Sequence, residues 1–260
     1  NFNIFYFLPI LPILFLSMFF RSLIQKYLLK KLDIDISIKS SFMIFLGGYS
    51  MIMTPGGVGL IIKSYLIEKK YGHKISKSIP LVFAERFYDV LAVQIIILMT
   101  IFVFFLEISI ILSIISISAL SLAVFLIKNK KFNHIIIKIT TKLKILSDNQ
   151  DEQEKFLEGL QIIFELKLFL KMVIAITAIV LFEGIIFYLS FQIFGINIEY
   201  VEAIQTYYTS MLLGALTLLP AGIGAIEGIF VILLSEKNTS LHLATSVILF
   251  MRFISVWLLS

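Results

Sequence analysis

Hydrophobic positions in this chain come in long runs, not in alternation, so the pattern predicts helices and no sheet. Residues 3–20 are nearly all apolar and long enough to cross a bilayer as a helix, with a kink expected at Pro9 and Pro12. Arg21, Lys26, Lys30, Lys31 and Lys39 follow, a basic cluster that reads as a cytoplasmic end. Residues 42–54 and 60–67 are two apolar pieces, each too short to span, parted by Thr54-Pro55-Gly56-Gly57-Val58-Gly59. Lys63, Lys69, Lys70, Lys74 and Lys77 make the far flank basic again, so this broken segment reads as a re-entrant hairpin. Pro80 suits the first turn of a helix spanning 79–106. Residues 108–127 return to Lys128.

The stretch 128–171 is the long polar part. Its first half carries Lys128, Lys130, Lys131, Lys138, Lys142 and Lys144, with Phe132, Ile135, Ile136, Ile139 and Leu143 at helical spacing. Its second half carries Asp148, Asp151, Glu152, Glu154 and Glu158. The pattern predicts two cytoplasmic amphipathic helices, the first in the headgroup layer, with a solvated helical hairpin as the plainer alternative. Residues 172–194 span outward, and 195–202 hold Glu199 and Glu202 but no Lys or Arg, as an external loop would. Residues 203–219, Leu219-Pro220-Ala221-Gly222-Ile223-Gly224 and 226–234 form a second broken segment. Residues 241–259 are the last span.

The two breaks echo each other at an offset of 165, and Arg86 and Arg252 lie 31 and 32 residues past their respective prolines. Three passes between the breaks put the two hairpins on opposite sides of the membrane. The expected architecture is an all-α polytopic membrane protein in one transmembrane domain, 1–260. Two inverted-topology repeats, 1–106 and 172–260, each comprise a span, a Pro/Gly-broken hairpin and a span. The linking helix 108–127 and the cytoplasmic segment 128–171 join them. Such repeats surround midplane binding sites in transporters.

Composition agrees. Hydrophobic residues are 59% and charged residues 15% of the chain, and mean hydropathy is +1.01, far from the roughly 25% charge of a soluble domain. The net charge of +5 reads as cytoplasmic loops and anionic lipid, not nucleic acid. There is no Cys, hence no disulfide or thiol chemistry. Residues 1–20 carry no signal-peptide features. The missing initial Met and the apolar end at Ser260 read as a chain trimmed at one or both ends.

Charge inside a span is costly and marks function by default. The candidates are Glu85, Arg86, Asp89, Glu183, Glu227 and Arg252, with Lys63 just past the first break. Glu85 and Asp89 share a helix face, and Arg86 can pair with either. Arg252 and Glu227 are candidate partners. Ion pairs that merely lock helices are the plain alternative. Against it stands the choice of Arg, since the chain has 3 Arg and 19 Lys. Arg stays charged when desolvated and grips phosphate with a planar fork. Helix starts after Gly-rich breaks also offer free N–H groups to an anion. A phosphate headgroup is therefore expected against Pro55, Gly56, Gly57, Gly59, Lys63, Glu85, Arg86, Asp89, Pro220, Gly222, Gly224, Glu227 and Arg252. Close helix packing is the alternative role for glycine, and it suits Gly47, Gly48 and Gly214. His73, His134 and His242 stand apart, and no metal spacing, hydrolase elbow or cofactor motif is seen. A divalent cation between Glu85 and Asp89 is the weaker alternative.

These pieces resemble the flippase-like family, also called the lysylphosphatidylglycerol synthase transmembrane region. They are Pro55-Gly-Gly-Val-Gly59 with Lys63, Glu85-Arg86-x-x-Asp89, Leu219-Pro220-Ala-Gly-Ile-Gly224 with Glu227, and Arg252. Leu60 stands where many members carry an acid, Ala221 where Gly is usual, and Lys63 where Arg is common. The resemblance implies a lipid-handling protein of the plasma membrane, without the soluble aminoacyl-transferring domain of some members. The expectation is a translocase of an anionic phospholipid or a polyprenyl-phosphate-linked glycolipid, with no catalytic residues. The runner-up is an intramembrane transferase modifying such a lipid. Expected partners are phosphate-bearing membrane lipids, with homo-oligomers left open.

Overall fold

The computed structural model describes residues 4–51, 61–100, 106–142, 146, 149–217, 219–236 and 239–257, and within them it is all-helical. The helices are α1 (Ile10–Lys31), α2 (Ile38–Tyr49), α3 (Ile62–Tyr71), α4 (Ile75–Met99), α5 (Leu106–Lys128), α6 (Asn133–Lys142), α7 (Gln150–Ile163), α8 (Leu166–Ile193), α9 (Tyr200–Ala215), α10 (Ala225–Ser235) and α11 (Leu241–Arg252). A π-helical turn, Phe253–Trp257, prolongs α11. The first break, with Pro55, Gly56, Gly57 and Gly59, lies outside the described residues.

Several expected boundaries move. Pro9 directly precedes α1 and Pro12 sits in its first turn, where the missing N–H costs nothing, so the prolines start the helix instead of kinking it. That helix does not end near residue 20 but continues through Arg21 to Lys31. Helix α4 starts at Ile75, so Pro80 falls inside it, buried against Gly159 of α7. A Cβ at Gly159 would lie 2.7 Å from Pro80 Cγ, so the proline ring and the glycine permit each other. Helix α8 begins at Leu166, ahead of the expected 172.

The acidic half of the polar stretch is a docked helix. Asn149 caps α7 by accepting a hydrogen bond from the Asp151 amide, and Asp151 and Glu152 occupy its first turn, where helix polarity favours them. Phe156, Leu160 and Ile163 are buried in the main core, and Tyr88 Oη of α4 donates to the Ile163 carbonyl at 3.0 Å. The basic helix α6 instead leaves Lys138, Ile139 and Lys142 exposed. Lys74 pairs with Glu152 at 3.2 Å, Lys77 Nζ donates to the Asp33 carbonyl at 3.2 Å and Lys70 Nζ to Ser40 Oγ at 3.0 Å. These contacts gather the lysine-rich turns and α7 at one end of the molecule.

One neighbour pattern occurs twice. Helix α1 packs on α2, α2 on α3 and α3 on α4, while α8 packs on α9, α9 on α10 and α10 on α11. The two sets meet where α8 lies against α1 and α4. Glycine lets each broken pair close up. A Cβ on Gly48 would lie 2.4 Å from Lys63 Cγ, and one on Gly214 would lie 2.3 Å from Ile226 Cγ1. Polar locks join α1 to α2, where buried Gln25 donates to the Ser41 carbonyl and Ser41 Oγ donates to the Ser22 carbonyl.

Two helical stretches among the described residues, Ile4–Lys31 and Leu166–Ile193, are long and apolar enough to cross a membrane. Only 28% and 33% of their most apolar windows is buried within the molecule. Phe15, Leu170 and Ile174 therefore face outward, an arrangement suited to hydrocarbon and costly in water.

Candidate functional site

Three long helices carry charge at mid-length, and the packing brings those charges together. Arg21 of α1 donates from Nε and Nη2 to the two carboxylate oxygens of Glu183 on α8, at 2.7 and 2.8 Å. Its Nη1 donates to Asp89 Oδ1 of α4 at 2.6 Å. One guanidinium thus ties three helices with a bidentate grip on one acid and a single bond to another. Such charge-assisted bonds are the strong kind. Asp89 also forms an ion pair with Arg86, one turn earlier, at 3.1 Å.

Glu85 and Asp89 share a helix face but serve different partners. Glu85 pairs with Lys63 of α3 at 2.7 Å, and the Lys63 ammonium lies 4.4 Å from the Phe45 ring centre. Lys63 is only 1% exposed. Gly48 makes the room for its stem, and the ammonium is already spoken for by Glu85. This pair braces α3 against α4, so a headgroup reaching Lys63 would compete with Glu85 for it.

The second break supplies its own anion. Ala221 adopts φ +49°, Gly222 φ +64° and Gly224 φ +84°. Left-handed backbone is easy for glycine and strained for alanine. The strained turn points the Ala221 carbonyl at Arg252 Nη2, 2.6 Å away. Arg252 Nε donates to Glu227 Oε1 at 2.8 Å, and Glu227 Oε2 accepts from the Gly224 amide at 2.6 Å. The start of α10 was expected to hold a phosphate; the Glu227 carboxylate occupies that position, neutralising both the helix start and Arg252. The pairing expected of Arg252 with Glu227 is present.

All three arginines line one cavity of about 410 Å³. Asp89, Glu183, Tyr49, Tyr207 and Tyr208 share its wall, together with Ala221 and Gly222 of the second break. Apolar side chains such as Val93, Ile186, Phe187 and Met211 complete it. Phe187 stacks on Tyr207 with ring centres 3.7 Å apart. Tyr49 Oη donates to the Ser255 carbonyl at 3.0 Å, which joins α2 to the π-helical turn. π-Turns free carbonyls in this way and recur at functional sites. The cavity is therefore an apolar chamber with a charged belt, suited to a charged headgroup on an apolar stem.

Three guanidiniums in this belt meet three carboxylates, Asp89, Glu183 and Glu227. Donor capacity is unequal. Arg21 has bonds from Nε, Nη1 and Nη2, and Arg252 from Nε and Nη2. Among the described residues Arg86 forms an ion pair with Asp89 alone, its buried Nε has no hydrogen-bond partner, and its side chain is 40% exposed. Arg86 is thus the guanidinium with donors to spare.

Of the expected residues, Arg86, Asp89, Gly222 and Arg252 meet at the cavity, with Glu227 behind Arg252. Glu85 faces a small recess beside Arg21 and Arg86. Sequence reasoning missed Arg21, which loop-charge patterning assigned to the cytoplasmic cluster, and gave Glu183 no partner. The preference for Arg over Lys at depth, applied to all three arginines, would have found it. Among the described residues no group of three or more His, Cys, Asp or Glu could hold a metal.

Comparison with known proteins agrees with a membrane location. A UPF0104 membrane protein of Methanocaldococcus jannaschii is 28% identical over 212 residues, covering 78% of this chain and 86% of that protein. A UPF0104 membrane protein of Methanothermobacter thermautotrophicus is 32% identical over 73 residues, 28% of this chain and 22% of that protein. The family model for the lysylphosphatidylglycerol synthase TM region matches residues 1–260. With its whole length matched and its charged motifs converging on one chamber, the chain belongs to the lysylphosphatidylglycerol synthase TM region family of membrane proteins.

Proposed function

We propose that this protein is a multi-pass lipid translocase of the plasma membrane. Its substrate is a lipid with a phosphate headgroup, either an anionic phospholipid or a polyprenyl-phosphate-linked glycolipid. The observation that carries this reading is the convergence of all three arginines on one chamber with apolar walls. A phosphate would engage Arg86 first and then compete with carboxylates for Arg21 and Arg252. The acyl or prenyl tail would remain among the apolar side chains or in the bilayer. The repeated neighbour pattern supports reading α2–α3 and α9–α10 as two re-entrant hairpins of an inverted repeat. Alternating access would then come from rocking one repeat against the other about Arg21.

The test is transport of fluorescent phospholipid between leaflets in proteoliposomes, with and without an imposed proton gradient. The purified protein is expected to accelerate exchange of an anionic lipid. Arg86→Lys and Arg252→Lys should reduce the rate at least about tenfold, because Lys retains charge but loses the fork, and charged hydrogen bonds are worth roughly 1.5–3 kcal/mol. Exchange no faster than in protein-free vesicles under either condition would remove the translocase reading.

A further inference from the structure

The charged belt is balanced before any ligand enters: three arginines against three carboxylates. Adding an anionic headgroup brings one more negative charge into an apolar-walled chamber. Burying uncompensated charge is expensive, and ionisable groups respond by neutralising. Something must therefore give up a negative charge or bring a positive one.

The geometry points to Glu183 as a proton-binding site coupled to ligand entry. We infer that a proton from water adds to the Glu183 carboxylate when an anion takes its place on Arg21. This rests on the phosphate-lipid reading above. Glu183 is the acid best placed for the exchange. Asp89 has two arginines, so it keeps Arg86 if Arg21 turns away. Glu227 is held by Arg252 and by the Gly224 amide. Among the described residues Glu183 pairs with no cation but Arg21, and through both its oxygens. If a phosphate displaced it, it would be left with no counter-charge. Its side chain is 21% exposed and lines the cavity, so water reaches it.

The charged and titratable groups sharing this chamber are Arg21 from α1, Tyr49 from α2, Arg86 and Asp89 from α4, Tyr207 and Tyr208 from α9 and Arg252 from α11. The step balances. One monoanionic headgroup and one proton enter, Arg21 exchanges a carboxylate for a phosphate oxygen, and the chamber's net charge is unchanged. The sign follows. Because the complex holds one more proton than the free protein, affinity for an anionic lipid falls as pH rises, by up to tenfold per pH unit.

The experiment uses the full chain in detergent with dihexanoyl phosphatidylglycerol, a soluble monoanionic phospholipid. Binding by calorimetry is repeated in buffers of different ionisation enthalpy between pH 5.5 and 8.5, and gives both affinity and protons taken up. The expected result is uptake approaching one proton per lipid at the lower pH values, declining as rising pH keeps the displaced carboxylate ionised, and affinity that falls with pH. Glu183→Gln, which mimics the protonated acid, should bind without proton uptake and hold its affinity across the range. Dihexanoyl phosphatidylcholine carries its own cation, and if it binds it should take up no proton.

Wild-type binding with no proton uptake at any pH would overturn the inference and leave the phosphate-lipid reading standing. Proton uptake that persists in folded Glu183→Gln would move the site to another acid and overturn the assignment. If the Gln variant does not fold, the wild-type proton count still decides. Failure of the wild type to bind either lipid would overturn the inference together with the phosphate-lipid reading.

Discussion

At the residue scale, Arg21 is the side chain on which most depends. It satisfies acids on two other helices, and 162 residues of sequence separate it from Glu183. Arg21→Ala would strand Glu183 and leave Asp89 with Arg86 alone. Removing one partner of a buried charge network costs on the order of 3–5 kcal/mol. The expected outcome is a large fall in thermal midpoint in detergent, whereas Arg86→Ala, which leaves Asp89 with Arg21, should fall much less. Equal midpoints for the two variants would deny Arg21 its central place. Ala221 offers the opposite kind of test. Its φ of +49° is strained for alanine, and the carbonyl that this turn aims is bonded to Arg252. Ala221→Gly should relieve the strain and raise stability by roughly 0.5–1 kcal/mol, partly offset by the greater freedom of glycine when unfolded. A lower midpoint would mean that the alanine methyl matters more than the backbone angle.

At the element scale, the broken segments depend on helices that approach closely. Gly214 of α9 sits against Ile226 of α10, whose backbone N and Cα would lie 3.1 and 3.2 Å from a new Cβ. Backbone cannot yield as a side-chain tip can. Gly214→Ala should therefore cost about 1–3 kcal/mol. Adding Ile226→Ala removes the side-chain clash at 2.3 Å but not the backbone one, so rescue should be partial, and the double-mutant cycle should show coupling. Strictly additive effects would put the two residues out of contact. Helix α6 is the other element with a separable property. Exposed Lys131, Lys138 and Lys142 accompany exposed Ile139. A peptide of residues 132–146 is expected to bind anionic vesicles and release them as salt rises. Salt-independent binding to neutral vesicles would remove the electrostatic part of that reading. Its neighbour α7 should not behave this way, because Phe156, Leu160 and Ile163 are already buried.

At the scale of the whole molecule, sidedness is the decisive property. The lysine-rich turns and α7 gather at one end through Lys74–Glu152, Lys77–Asp33 and Lys70–Ser40 contacts. The inverted-repeat reading puts 69–77 and 128–171 in the cytoplasm and 195–202 and 236–240 outside. Cysteines introduced singly at Lys70 and Asn238 into this cysteine-free chain should label from opposite faces of intact cells or oriented vesicles. Labelling from the same face would overturn the inverted repeat while leaving the chamber and its charges unaffected.

The sequence by itself determined the helical class, most helix positions and most of the charges that lie deep, Arg21 excepted. Hydrocarbon admits little else than helices for long apolar runs, and charge within such runs is too costly to be incidental. Arg252 with Glu227 was legible as a candidate pair, and Arg86 was narrowed to Glu85 or Asp89, its neighbours on one helix. The tertiary structure alone decided the partners of Arg21, Lys63 and Glu183. Arg21 follows an apolar run and precedes four lysines, a local pattern identical to that of a helix end. Only the packing of α8 against α1 and α4 reveals that the helix continues and that Glu183 and Asp89 await it. The enclosure of Lys63 by Glu85 and Gly48 was likewise visible only in the fold. Helix α7 was legible as amphipathic, but the same stripe fits a bilayer surface and a protein groove equally well. The groove won because α4 presents Tyr88, Phe83 and Pro80 to it. Periodicity reports that a face is apolar, whereas only the assembled fold supplies the surface that covers it.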